Sequence, residues 1–471
     1  MNTKKLLGYA LGPLGSAAVS AVSLPLISWY FPADDIGRIV LLQTVAGLVL
    51  IFAGLGLDQA YIREYHGSAD RAGLFKSIFA VPLVLVAGLC ILLALNLSWP
   101  SEKLFELPDA GLGVLCLLFF ASSLICRYLS VILRMEERPF AFSFSQFTPK
   151  VLILLVVAVY FLTGSPNDTF RLVLAYTAAQ LVTLAVLAFQ TKGALKEAAA
   201  ARFSGRTLKT ALDYGFPLAL GGLAYWGFAS IDRFVLKQQS SLGELGVYSM
   251  AVSFGAIALI FQSIFSTIWA PMVFKWIEDN TNLDKIGGIA AVMTDMVAAI
   301  LCAAGIFSPL VPLLLPEKYD PVQFILLSSI LFPLLYTLTE VSGIGINVRR
   351  KTWLITLISL AAFGCNWFLL NWLVPLFGAR GAAMATAASF WIFFLLKTEV
   401  SIRIWQPLPR GKLYGATAAC LAVSLAYTHW GSTQNHPLFC ALWLAVLVWL
   451  FRQHRNSLQK AVAAVKGRLK K

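Results

Sequence analysis

Charge is scarce in this chain. Of its 471 residues, 13% are charged and 59% are hydrophobic, whereas an ordinary globular domain is about a quarter charged. This composition excludes a soluble enzyme. Apolar runs of about 18 or more residues recur from end to end, and each is long enough to cross about 30 Å of hydrocarbon as a helix. We therefore expect an all-α, polytopic membrane protein.

Motifs that carry chemistry are also missing. The seven cysteines stand singly in or beside apolar runs, without a CxxC pair, so we expect neither a disulfide framework nor a metal site. The four histidines match no metal spacing, and the glycines form no Walker motif. No catalytic constellation stands out, and we expect a protein that is not an enzyme and needs no cofactor.

Fourteen apolar segments, bounded by charged residues or by Pro, Gly or Asn breaks, predict membrane-spanning helices. They cover approximately residues 7–30, 37–60, 77–98, 111–133, 140–162, 170–190, 213–237, 244–271, 287–314, 322–347, 352–376, 381–397, 413–430 and 437–451. The predicted domains are a six-helix bundle, a cytoplasmic linker, a second six-helix bundle, and two additional helices with a basic tail, at 1–190, 191–212, 213–397 and 398–471 respectively.

The basic residues orient the segments. With the N-terminus inside, 28 of the 37 Lys and Arg residues fall on the cytoplasmic side, including Lys397 at the end of the twelfth segment. Six fall on the opposite side, and Arg38, Arg127 and Lys150 fall within segments. Since basic loops remain in the cytoplasm, both termini are predicted to lie there. The net charge of +14 is thus explained by topology rather than by nucleic-acid binding.

A weak internal repeat appears at an offset of 209 residues. Residues 36–52 match 245–261, with Gly37 on Gly246, so the second segment pairs with the eighth. Six is an even number, so both six-helix units enter the membrane from the same side. A pseudo-two-fold axis along the membrane normal is therefore expected to relate them. Two such bundles would enclose a central cavity suited to alternating access.

Cations within the segments are costly and mark candidate sites. Lys150 follows Pro149 and lies roughly 15 Å into the fifth segment; it either lines a cavity or pairs with a buried carboxylate. Arg127, roughly 9 Å deep, either reaches the interface or lines the same cavity. We expect Arg127 and Lys150 to share an anion site, with Arg38 and Arg233 as further cationic candidates for substrate binding.

Acidic residues are candidates for ion coupling or gating. Asp295 and Glu340 lie deep in their segments, where burial raises the pKa of a carboxylate; each could carry a coupling proton or pair with Lys150 or another base. Asp232 either pairs with its neighbour Arg233 or contacts headgroups. Two further charges belong to a helix end: Asp58 and Arg63 are expected to form an electrostatic network at the end of the second segment.

Several segments resemble a known family. The stretch GLGLDQAYIREY (54–65) is similar to a signature of bacterial O-antigen and polysaccharide flippases of the multidrug/oligosaccharidyl-lipid/polysaccharide exporter superfamily. The stretch 215–251 resembles that family's seventh and eighth helices, with a Pro near the start and an Asp-Arg near the end. EKYDP (317–321), RRK (349–351) and NWLVPLFGARGAAMATAAS (371–389) resemble its C-terminal half.

The resemblance implies a flippase that moves undecaprenyl-diphosphate-linked glycans for O-antigen, lipopolysaccharide or other surface polysaccharide across the bacterial inner membrane. It further implies cationic residues that bind the diphosphate or acidic sugars, and coupling to an H⁺ or Na⁺ gradient. Expected partners are the lipid-linked glycan, membrane lipids and polysaccharide assembly machinery. Two alternatives stay open: a membrane subunit of an exopolysaccharide export complex, and a multidrug or cation antiporter of the same superfamily, which should have an acidic, aromatic cavity.

Overall fold

The computed structural model describes residues 3–279, 281, 283, 285–449 and 452, and within these ranges it contains helices and no strand. The predicted all-α fold is confirmed. The α-helices are α1 (Thr3–Ser28), α2 (Ala33–Gly54), α3 (Leu57–Glu64), α4 (Arg71–Ala94), α5 (Ser98–Phe105), α6 (Ala110–Met135), α7 (Pro139–Leu162), α8 (Thr169–Gln190), α9 (Lys192–Ala200), α10 (Gly205–Gln239), α11 (Leu242–Phe254), α12 (Ala256–Glu278), α13 (Lys285–Phe307), α14 (Val311–Leu314), α15 (Val322–Ser342), α16 (Ile344–Val348), α17 (Trp353–Ile404), α18 (Gly411–Trp430) and α19 (His436–Trp449).

Each of the fourteen predicted segments overlaps a helix of the described residues; residues 450 and 451 of the last segment, and the basic tail after residue 452, lie outside the described residues. Nine helices in the described ranges are long and apolar enough to cross a membrane. The eighth segment is divided between α11 and α12, and α17 contains both the eleventh and the twelfth, separated by a break at Gly378 (φ 53°, ψ −129°). The chain is a multi-pass membrane protein.

Helix boundaries also differ from the prediction in the second segment and in the linker. The second segment was expected to continue to residue 60, but α2 ends at Gly54 because Leu55 and Gly56 adopt left-handed conformations (φ 47° and 67°). The linker 191–212 is only partly separate: it holds α9, and α10 already begins at Gly205. The Ser204 side chain caps α10 by accepting a hydrogen bond from the backbone N–H of Thr207 at 3.2 Å.

The chain divides into two compact units, residues 1–260 and 261–471. In the first, α1 packs on α7, α2 on α11 and α6 on α8; in the second, α15 packs on α13, α17 and α18. The first unit thus includes α10 and α11, which the sequence analysis assigned to the second bundle. The division into bundles at 1–190 and 213–397 stays a prediction.

A close crossing of α2 and α11 follows the internal repeat. The two helices begin at Ala33 and Leu242, which are 209 residues apart. A Cβ atom on Gly37 would overlap the carbonyl oxygen of Leu242, and one on Gly246 would overlap that of Ala33. Each glycine therefore approaches the carbonyl group that lies about one helical turn before the glycine on the other helix. The contact is reciprocal, as across a local two-fold axis, and only glycine permits this approach.

Candidate functional site

A cavity of about 410 Å³ lies within the first unit, among α1, α2, α7, α8, α10 and α11. Its volume falls within the usual range for ligand pockets, about 300–1,000 Å³. Hydroxyl groups, two cations and an indole ring supply most of its polar lining. The lining residues are Ser20, Ser23, Leu24, Val40, Gln43, Thr44, Lys150, Ile153, Tyr176, Trp226, Ser230, Arg233, Ser249, Val252 and Ser253.

The cavity lies on the local two-fold axis. The lining residues Val40, Gln43 and Thr44 of α2 are each 209 positions before a lining residue of α11. Those α11 residues are Ser249, Val252 and Ser253. All six follow the glycine crossing along their helices by one to two turns. The crossing therefore lies at one end of the cavity, and equivalent faces of α2 and α11 form part of its walls.

Lys150 is hydrogen-bonded but not neutralised. Its Nζ donates to the carbonyl oxygen of Ser16 at 2.9 Å, to Ser16 Oγ at 2.7 Å, and to Ser20 Oγ. All three ammonium protons thus have acceptors on α1, and every acceptor is neutral. In the part of the chain that the structure describes, no carboxylate lies within ion-pair distance of Lys150. Among the described residues, Lys150 therefore does not have the buried carboxylate partner that was the alternative expectation.

Arg233 brings a second cation to the cavity. Its Nη1 donates to Ser230 Oγ at 3.2 Å. The neighbouring Asp232 is buried, and its carboxylate accepts the backbone N–H of Arg233 at 2.8 Å and the hydroxyl of Tyr248. Among the described ion pairs, the two side chains do not pair with each other. Asp232 therefore holds α10 against α11 and leaves the guanidinium of Arg233 beside the cavity.

Arg127 and Arg38 are placed differently. Two nitrogens of Arg127 donate to Asp58 Oδ2, at 2.7 and 3.0 Å, and join α6 to α3. Arg38 pairs with the buried Asp35 at 2.6 Å and also donates to Thr169 Oγ1 at 3.0 Å. Neither arginine lines this cavity. Arg127 does not share this cavity with Lys150, because Asp58, carried on the separate short helix α3, holds the arginine elsewhere; a role of Arg127 in substrate binding stays a prediction.

The coupling candidates of the second unit are ion-paired. Asp295 pairs with Lys412 at 2.7 Å, and Glu340 pairs with Lys397 at 3.6 Å. Sequence reasoning allowed for such pairing without naming these bases. Lys397 was counted among cytoplasmic cations, yet it is only 5% exposed, since α17 continues beyond it to Ile404. The run of apolar residues before Lys397 is the sequence feature that could have indicated its burial.

Arg63 lies over an aromatic ring rather than in a carboxylate network centred on Asp58. Its guanidinium carbon is 4.2 Å from the ring centroid of Tyr214, and its Nε is 3.6 Å from Glu64. The contact with Tyr214 joins α3 to the first half of α10. Arg63 and Asp58 therefore both connect α3 to other helices, Arg63 through Tyr214 and Asp58 through Arg127.

The arrangement in the first unit is suited to an anion. Two cations that have no carboxylate partner within the described part of the chain face one cavity of reduced dielectric, where charge-assisted hydrogen bonds are strong. Arg can bind a phosphate with two parallel hydrogen bonds, whereas Lys supplies a compact charge. The surrounding hydroxyls and the Trp226 indole can hydrogen-bond or stack on a neutral polar group.

Comparisons with known proteins agree with this fold. The protein family described as polysaccharide biosynthesis protein matches residues 3–276. A structure of the lipid II flippase MurJ in an inward closed conformation has a TM-score of 0.69 at 12% identity, covering 96% of this chain and 99% of that one. An inward-facing multidrug resistance MATE family transporter of the MOP superfamily has a TM-score of 0.57 at 16% identity, covering 84% and 98%.

A second MATE structure, in complex with MaD3S, has a TM-score of 0.54 at 15% identity and covers 85% of this chain and 96% of that one. No curated protein matches the chain in sequence. At 12–16% identity these likenesses show that the chain shares the fold of those proteins, and the family match spans more than half of the chain. This protein belongs to the polysaccharide biosynthesis protein family.

Proposed function

We propose that this protein is a flippase that moves an undecaprenyl-diphosphate-linked oligosaccharide across the bacterial cytoplasmic membrane. The glycan would be an O-antigen unit or a related surface polysaccharide unit. The observation that carries this proposal is the pair of cations, Lys150 and Arg233, at one hydroxyl-lined cavity. The family match and the likeness to a lipid II flippase support the same substrate class.

The chemistry of the substrate explains why such a cavity is needed. Moving a diphosphate into hydrocarbon without compensation costs many kcal/mol, and sugar hydroxyls add to this cost. Lys150 and Arg233 would compensate the diphosphate charge. The serine and threonine hydroxyls would replace water around the first sugars, with Trp226 offering an apolar face. The isoprenoid chain needs no such help and would remain in the lipid.

Transport would proceed by alternating access. In the orientation predicted from the basic loops, both termini are cytoplasmic and the crossing at Gly37 and Gly246 lies toward the outer face. Closure of the cavity by this crossing would prevent release outward until α2 and α11 separate. An H⁺ or Na⁺ gradient would supply the driving force, and the polysaccharide assembly machinery would take up the product.

The lining of the cavity argues against a cation antiporter. A site for an organic cation requires a carboxylate or a cage of aromatic rings. The described lining residues of this cavity instead include two cations and no acid. Two fixed positive charges would repel such a substrate. No observation in the structure favours the export-complex subunit over the flippase.

The test is reconstitution into liposomes that contain a prenyl-diphosphate oligosaccharide, with flipping measured by access of an external lectin. The wild-type protein should move the glycan, and Lys150→Met and Arg233→Met should each slow movement about tenfold or more, as expected for the loss of one charge-assisted contact. Lys103→Met is the matched control, since Lys103 is exposed and contacts Glu102. Transport of ethidium but not of the lipid-linked glycan would contradict the proposal.

A further inference from the structure

Lys397 is a buried cation in the second unit. Its Nζ lies 3.6 Å from Glu340 Oε1 and donates to Thr339 Oγ1 at 3.1 Å. The same nitrogen lies 5.2 Å from the ring centroid of Tyr336 and 5.7 Å from that of Phe393. A carboxylate, a hydroxyl and two aromatic rings thus surround one ammonium group, between α15 and α17.

The surrounding backbone is shaped around the lysine side chain. A Cβ atom on Gly343 would lie 2.8 Å from Lys397 Cε and 2.9 Å from its Cγ, so the stem of the lysine occupies the space that another residue at 343 would fill. The carbonyl oxygen of Glu340 accepts a hydrogen bond from the buried indole of Trp269 at 3.0 Å. The lysine stem and the backbone at Glu340 are therefore both held in place by neighbouring groups.

These groups are the ones that recognise a small free cation. A carboxylate next to aromatic faces binds ammonium-type ligands through charge and cation–π attraction, most strongly when water is excluded. In this protein the chain's own ammonium fills that position. A free cation could enter only by displacing a group that is tethered beside the site at high effective concentration.

We propose that Lys397 acts as a resident cation that closes the Glu340 site to Na⁺ and to small organic cations. Lys397 is thereby a specificity-determining residue, and it separates this transporter from cation antiporters built on the same fold. The part of this proposal that concerns transport selectivity rests on the proposed function. The cation-binding experiment that tests it does not depend on that function.

The experiment measures thermal unfolding of the purified full-length protein in detergent with methylammonium chloride, NaCl or tetraethylammonium chloride. N-methylglucamine chloride keeps the ionic strength constant. The wild-type melting temperature should not respond to methylammonium or Na⁺. For Lys397→Ala, methylammonium should raise the melting temperature by about 2 °C or more, as expected for a ligand well above its Kd. Tetraethylammonium, which is too large for the vacated space, should not.

The control is Lys397→Ala/Glu340→Gln, in which the same space lacks its carboxylate and methylammonium should have no effect. Two results would overturn the proposal: a Glu340-dependent response of the wild type to Na⁺ or methylammonium, or equal responses of the single and double variants. Should Lys397→Ala not yield folded protein, Lys397→Gln replaces it. Lys397→Gln should then melt below Lys397→Gln/Glu340→Gln, and equal melting temperatures would count against the proposal.

Because the readout is binding to the purified protein, it separates the two proposals. A methylammonium response confined to Lys397→Ala would stand even if no lipid-linked glycan were flipped. Conversely, if the wild-type protein flips the glycan but its melting temperature responds to Na⁺, the flippase proposal stands and the proposal for Lys397 fails.

Discussion

Replacing Lys150 should impair substrate binding while sparing the fold. Among the residues that the structure describes, its ammonium is held by neutral oxygens of Ser16 and Ser20. In Lys150→Met, therefore, no carboxylate loses its partner, and the two serine hydroxyls can turn to carbonyls of the preceding helical turn. A methionine fills most of the space of the lysine stem. We expect a melting temperature within a few degrees of the wild type.

The loss of binding can be estimated from the contact that disappears. A hydrogen bond to a charged group contributes about 1.5–3 kcal/mol, and about 1.4 kcal/mol corresponds to a tenfold change in Kd. Lys150→Met should thus weaken binding of a prenyl diphosphate by about 10- to 150-fold. Lys150→Arg, which keeps the charge, should lose less, and the uncharged prenyl alcohol should bind all variants alike.

The assay is equilibrium binding of farnesyl diphosphate and farnesol to purified protein, followed by glycan flipping in liposomes. Lys103→Met again provides a matched lysine variant, with 58% of its side chain exposed before substitution. The reasoning fails if Lys150→Met binds the diphosphate with the wild-type Kd, or if Lys103→Met loses as much affinity.

Two further substitutions test other contacts. Arg38→Met should lower the free energy of unfolding by about 3–5 kcal/mol, because it leaves the buried carboxylate of Asp35 without its cation. Adding Asp35→Asn should restore most of the lost melting temperature. If it does not, the Arg38–Asp35 pair is not the cause of the loss. Gly246→Ala should lower the free energy of unfolding by about 1–3 kcal/mol, because the added methyl group forces α11 away from α2. Gly88→Ala, at a position with open space around it, should be neutral in the same unfolding assay. Equal effects of the two substitutions would refute the close crossing.

The cationic residues show where sequence reasoning stops. Depth along a helix could be counted from the residue number, so Lys150 was recognised as unusual. The partner of a charge depends on the rotation of each helix and on its neighbours. Arg127 was therefore expected beside Lys150, whereas it pairs with Asp58 on α3. Arg233, named beside other candidates, is the second cation at the cavity.

The internal repeat was more informative than its weak identity suggested. The offset of 209 that aligned Gly37 with Gly246 also relates the starts of α2 and α11 and the residues with which both line the cavity. Apolar sequence tolerates many substitutions at lipid-facing positions, so little identity survives there. At the crossing, backbone contact admits only glycine, and the two glycines remain visible in the sequence.

Composition and the spacing of apolar runs by themselves determined that this chain crosses the membrane many times as helices, because hydrocarbon leaves a backbone no other way to satisfy its hydrogen bonds within one segment. They could not determine which helices touch. The cavity at α2 and α11, the enclosure of Lys397 by Glu340, and the pairing of Arg127 with Asp58 were decided by tertiary packing, since each joins side chains that are distant along the chain and meet only when helices rotate into contact.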